Sequence, residues 1–87
     1  MFYVYLIRSV PQRNLYAGYT GDLRRRFKEH NEGNGGKFTK GKRPFELIYC
    51  EAYKSLSDAK RREDALKLHK KAYAQLRKRI SESLLDA

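Results

Sequence analysis

Residues 2 to 8 read Phe-Tyr-Val-Tyr-Leu-Ile-Arg, and every one before Arg8 is aromatic, aliphatic or β-branched. That is the composition of a strand covered on both faces, which commits the chain to packing structure above and below its opening segment. The run is far shorter than a membrane span, and no small-residue cleavage site follows it. Nothing in it targets export or a bilayer. At 87 residues the chain reads as one domain over 1–87, a core of about 1–70 plus a C-terminal helix of about 72–84. A chain of this size buries only about two-thirds of its unfolded surface, so its core is small.

The remaining elements follow from local pattern. Ser9 to Asn14 is a polar turn with a proline, and Leu15 to Thr20 is a second strand-like run, so the two runs read as a hairpin. From Asp22 to Asn31 the spacing becomes helical, with Leu23, Phe27 and His30 at i, i+4 and i+7 and a Thr or Asp available as N-cap. Asn31 to Pro44 holds four glycines and no apolar residue except Phe38, which makes it a long basic loop. Phe45 to Tyr53 is again strand-like, and Ser55 to Asp58 offers a capping box for a helix reaching about Leu68. A last helix, Ala72 to Leu84, places Leu76, Ile80 and Leu84 on one stripe. The order strand, strand, helix, strand, helix, helix suits an α+β fold, a small three-stranded sheet flanked by helices.

Charge narrows the partner. Twenty Lys and Arg against ten Asp and Glu give a formal charge of +10, and the excess is concentrated. Eight basic residues between 24 and 43 face only Glu29 and Glu32; nine between 60 and 79 face only Glu63 and Asp64. A single surface Lys is usually a solubilising side chain. Two unbalanced clusters repel themselves in the folded state, which points to a polyanionic partner. Cys50 is the only cysteine, so neither an intramolecular disulfide nor a structural zinc site is available, and a reducing cytosol fits best.

Three polar residues fall where apolar ones are expected. Leu56, Ala59, Glu63 and Leu66 are spaced three and four apart, so Glu63 sits within the apolar stripe of its helix and points inward. An inward carboxylate is paired, protonated or metal-bound; a salt bridge to an Arg and an Mg²⁺ site are both open. Arg26 lies on the inward half of the preceding helix, where its fork can hold Glu63 or a phosphate. His30 is either a core-edge histidine or a proton shuttle. Tyr3, Tyr5 and Tyr16 lie on the first hairpin, and Tyr16 shares a face with Gly18, whose missing side chain leaves room for a ligand or another backbone. Core packing with the hydroxyl at the rim is the ordinary alternative for all three.

Together these residues resemble the GIY-YIG nuclease family. The resemblance rests on Tyr3-Val4-Tyr5, Tyr16-Ala17-Gly18, Arg26, His30 and Glu63, and it covers nearly the whole chain. It is nearest the small stand-alone bacterial members, through Tyr16 to Thr20, Leu23 to Arg26, His30-Asn31, Lys37 to Gly41, Arg43-Pro44 and Ala59 to Lys67. The resemblance implies a three-stranded antiparallel sheet and a phosphodiesterase that uses one divalent cation, Mg²⁺ or Mn²⁺. It makes Tyr16 the general base or the orienter of the attacking water, with Tyr5 helping to fix that geometry. Arg26 would stabilise charge on the scissile phosphate, Glu63 would hold the cation, and His30 would fill a position where the family places Tyr or His. Chemistry permits this: a cation and a guanidinium offset pentavalent charge. The departures are Tyr3-Val4 for Gly-Ile, Ala17 for Ile, Tyr19 where some members carry Lys, and no Asn after Asn34, which leaves Gln75 as a substitute for a last-helix Asn.

The expectation is therefore a cytoplasmic, monomeric DNA endonuclease with little sequence specificity and no small-molecule cofactor or membrane partner. Arg24, Arg25, Lys28, Lys40, Lys42 and Arg43 are expected to contact phosphates. Its competitors are a non-catalytic nucleic-acid-binding module on the same scaffold and a basic subunit for an acidic protein. Single strands, branched forms and nicked duplex all remain open as substrates.

Overall fold

A computed structural model of the chain describes residues 1–37 and 39–85. Phe38, expected as the one apolar residue of the long loop, lies outside the described residues. The elements are β1 (Phe2–Ser9), β2 (Leu15–Thr20), α1 (Leu23–Asn31), β3 (Phe45–Tyr53), α2 (Leu56–Leu68) and α3 (Lys70–Arg79). β1 is the middle strand of an antiparallel sheet in the order β2-β1-β3. The described residues adopt the expected α+β architecture, with three strands and three helices among them.

The opening run has cover on both faces, as its composition requires. Val4 and Leu6 turn one way and pack with Ala59 and Leu66 of α2, Leu76 of α3 and Ile80. Tyr5 and Ile7 turn the other way onto Phe45, with Leu23 and Phe27 of α1 and Tyr16 of β2 packed around them. Val4, Leu6 and Ile7 are almost wholly buried, and each contributes about 1.5–3 kcal/mol relative to an exposed position.

Arg8, which ends the apolar run, is buried too. It lies opposite Glu46 in the β1/β3 register, donates from Nε to Glu46 Oε1 at 2.7 Å, and donates from Nη1 to the Leu84 carbonyl at 2.7 Å. A single guanidinium thus ties the segment after α3 to the sheet.

α1 and α2 end at Asn31 and Leu68 as expected, and the differences lie in the cap of α2 and in both ends of α3. Asp22 caps α1, accepting from the Arg25 amide at 3.0 Å. Ser55 takes the N-cap position of α2 but its side chain makes no capping bond, so the capping box is absent. Leu56 is exposed, leaving Ala59, Glu63 and Leu66 as the inward stripe. α3 starts at Lys70 and ends at Arg79, earlier at both ends than the expected Ala72 to Leu84. Ile80 and Leu84 still reach the core, through a turn in which the Leu84 amide bonds the Ile80 carbonyl at 3.2 Å. The apolar spacing marked which side chains pack, and a turn satisfies it as well as a helix. No helix among the described residues is long and apolar enough to cross a membrane.

Candidate active site

The strand register creates the floor of the site. Tyr5 of β1 lies opposite Gly18 of β2, and Ile7 opposite Tyr16. A Cβ at Gly18 would stand 2.3 Å from Tyr5 Oη, so the room left by this glycine is filled by the Tyr5 side chain rather than a ligand. α1 lays Arg26 and His30 one turn apart, and α2 lays Glu63 and Lys67 one turn apart. Tyr5, Gly18, Arg26, His30, Glu63 and Lys67, with Tyr16, Glu29 and Thr39, line one cleft of about 760 Å³. The five expected catalytic positions, Tyr5, Tyr16, Arg26, His30 and Glu63, are thereby brought together.

His30 is the buried centre of this network. Its Nε2 lies 2.9 Å from Tyr5 Oη and its Nδ1 lies 3.0 Å from Thr39 Oγ1. Thr39 Oγ1 points its donor at the Gly36 carbonyl, 3.5 Å away. It therefore accepts from Nδ1–H, and Nε2 accepts from the Tyr5 hydroxyl; this tautomer is assigned from the network. Gly35 closes the pocket, since a Cβ there would meet His30 Nδ1 at 2.0 Å.

The electrostatics agree. Burial, helped by the Arg26 charge, lowers the His30 pKa below its ordinary 6.5, so the ring is neutral. Burial raises the Tyr5 pKa, against the opposing hydrogen bond and charge of Arg26. Burial disfavours the Arg26 charge as well, but its bonds to Tyr5 and Glu29 more than compensate and the guanidinium is firmly charged. Because the unfolded chain takes up a proton at His30 before the folded one does, stability should fall as pH drops below about 6.5 and level off below the folded value. Melting temperatures from pH 7.5 to 5 check this: His30→Gln should flatten that slope even if it lowers the whole curve, and an unchanged slope would remove His30 as its source.

Arg26 and Glu63 are not partners. Arg26 donates to Glu29 Oε1 at 3.3 Å and to the Gly35 carbonyl at 2.7 Å, while Glu63 Oε2 faces Lys67 Nζ at 3.1 Å. Glu29 and Lys67 are cleft residues that the sequence reading missed; both stand one turn from a recognised residue, at i+3 and i+4, a spacing that could have found them.

Tyr16 packs edge-to-face on Phe45 at 5.9 Å between centroids, and its hydroxyl accepts a hydrogen bond from Lys42. Lys42 Nζ is also 5.1 Å from the Tyr16 ring centre. An ammonium only donates, so the Tyr16 hydroxyl proton is turned away from Lys42. Of the six expected phosphate contacts, Arg24, Arg25, Lys28, Lys40 and Arg43 are exposed, whereas Lys42 is half-buried on Tyr16.

Gln75 lines a different cleft, of about 660 Å³, with Tyr49, Glu51, Tyr53, Arg62 and Arg79. There Glu51 accepts from both tyrosine hydroxyls and from the Arg62 fork. Burial and the Glu51 carboxylate push Tyr49 and Tyr53 up to about 12. Gln75 thus does not line the cleft of Glu63.

Glu63 is the residue suited to a hard cation. It is buried, it lines the cleft, and the lysine side chain paired with it is half exposed. Among the described residues no group of three His, Cys, Asp or Glu could cage a metal. The donor set fits the mode in which one carboxylate, waters and substrate phosphate oxygens share a Mg²⁺-type ion.

A model of the GIY-YIG catalytic domain matches residues 1–79. The chain is 42% identical over 65 residues to a UPF0213 protein of Haloquadratum walsbyi, covering 75% of this chain and 72% of that one. It is 37% identical over 87 residues to a UPF0213 protein of Bacillus velezensis, covering 95% and 85%. The solution NMR structure of a UPF0213 protein from Bacillus halodurans is similar at 38% identity and a TM-score of 0.53, over 87% of this chain and 82% of that one.

Proposed function

This chain belongs to the GIY-YIG nuclease family, and from that premise we propose that it is a metal-dependent endonuclease hydrolysing DNA phosphodiester bonds with little sequence specificity. The observation that carries the reading is the meeting of Tyr16, Arg26 and Glu63 in one cleft, reached from a strand and two different helices. Phosphate binding alone needs no buried carboxylate beside the substrate's negative charge.

Each side chain has a task in the hydrolysis. Tyr16 Oη, held by Lys42 on one lone pair, orients the attacking water, whose oxygen bonds to phosphorus as the bond from phosphorus to the leaving oxygen breaks; it takes the water's proton only once its own phenol proton has left. Tyr5, with its own proton committed to His30, serves to fix that geometry. Arg26 spends donors on Glu29, the Gly35 carbonyl and Tyr5, and those of its five N–H groups that are left are offered to the phosphate as charge builds on it. A divalent ion, Mg²⁺ or Mn²⁺, held at Glu63 would supply positive charge toward the leaving oxygen.

Arg24, Arg25, Lys28, Lys40 and Arg43 would guide the backbone of the strand, and such contacts carry no base information, hence the weak specificity. The reaction is set in the cytoplasm. Labelled single-stranded, duplex and forked DNA incubated with Mg²⁺, with Mn²⁺ and with chelator provide the test. Cleavage of at least one form that depends on metal is expected; retention of every form uncut but bound would instead make this a binding module.

A further inference from the structure

Glu63 is not free to take a divalent cation in this structure. Its Oε2 is 3.1 Å from Lys67 Nζ, with the carboxylate side chain 11% exposed and the lysine side chain 51% exposed. An ammonium and a metal ion compete for the same oxygen. A buried carboxylate stripped of its partner is destabilising, so Lys67 leaves only when another cation replaces it. Lys67 itself needs an anion less: half its side chain is in water, and its stem is long and flexible. It also lines the same cleft as Arg26, where a phosphate would lie.

We propose that Lys67 is an exchangeable counter-ion: it pairs with Glu63 in the free protein and moves to a substrate phosphate when nucleic acid enters, which opens Glu63 to the divalent ion. The inference rests on the function proposed above and adds to it an order of assembly, nucleic acid and metal each favouring the other. By linkage, DNA must then tighten metal binding by the same factor as metal tightens DNA binding. Direct contact between phosphate and metal contributes to such coupling in any nuclease of this type. The share belonging to Lys67 is the part that its substitution removes.

The test measures free Mn²⁺ by electron paramagnetic resonance during titration of the full chain, with and without a single-stranded oligonucleotide. Tyr16→Phe is present throughout so that DNA is not consumed. Lys67→Met should tighten Mn²⁺ binding in the absence of DNA by about five-fold or more, the lower end of ordinary coupling, and should shrink the gain from adding DNA. Lys67→Arg, still cationic, should behave like the parent, and Lys67→Gln should reproduce Lys67→Met if the effect is one of charge. Unchanged Mn²⁺ affinity in Lys67→Met, with binding lost in Glu63→Gln, overturns the counter-ion role and leaves the metal seat standing. Mn²⁺ binding by Glu63→Gln equal to that of the parent overturns both.

Discussion

Glu63→Gln should lose nearly all DNA cleavage while the protein stays folded. Glutamine keeps the size and hydrogen-bonding capacity of the side chain and removes the charge that a hard divalent cation requires. The structure sharpens this outcome. Were Glu63 the partner of Arg26, the substitution would strand a half-buried guanidinium and destabilise the fold. Arg26 has Glu29 instead, and the lysine that Glu63 does hold is half exposed and turns to water. DNA binding should therefore persist or improve as a negative charge leaves the cleft, and the rise in melting temperature that Mn²⁺ gives the parent should vanish. A variant that melts far below the parent without metal, with an unchanged response to Mn²⁺, would mark Glu63 as a structural carboxylate.

Tyr16→Phe should slow cleavage by about two to four orders of magnitude, the range for loss of a positioned acid–base group. The ring still packs on Phe45, so the fold and DNA binding should change little. Lys42 loses its acceptor but remains only half-buried, within reach of water. Single-turnover rates alongside binding isotherms separate the two effects. Cleavage at the parent rate would make Tyr16 a packing residue.

Residue pattern revealed faces and concealed partners. The two-sided cover of β1, the inward turn of Glu63 and the shared face of Tyr16 and Gly18 were all legible, because strand and helix periods fix where side chains point within one element. Which group meets which across elements is set by packing that no period encodes. Glu63 was open to an arginine or a metal, and its neighbour is Lys67 on its own helix. Lys42 read as an outward phosphate contact, yet the long loop folds back and sets it on Tyr16, 26 residues away in sequence. Arg8 read only as the end of an apolar run, and its burial depends on Glu46 and the Leu84 carbonyl, both brought in by distant segments. Gln75 enters only through the family resemblance, as a substitute for a last-helix Asn, and α3 turns it into the cleft of Glu51.

Closed circular DNA, prepared both single-stranded and duplex, tests the central claim most directly, because a circle has no end and is cut only by an endonuclease. Incubated with the parent protein and Mn²⁺, at least one of the two circles should be opened, and it should stay intact with chelator or with Glu63→Gln. Survival of both circles with the parent protein and Mn²⁺, or a circle that Glu63→Gln cuts equally well, would contradict the account.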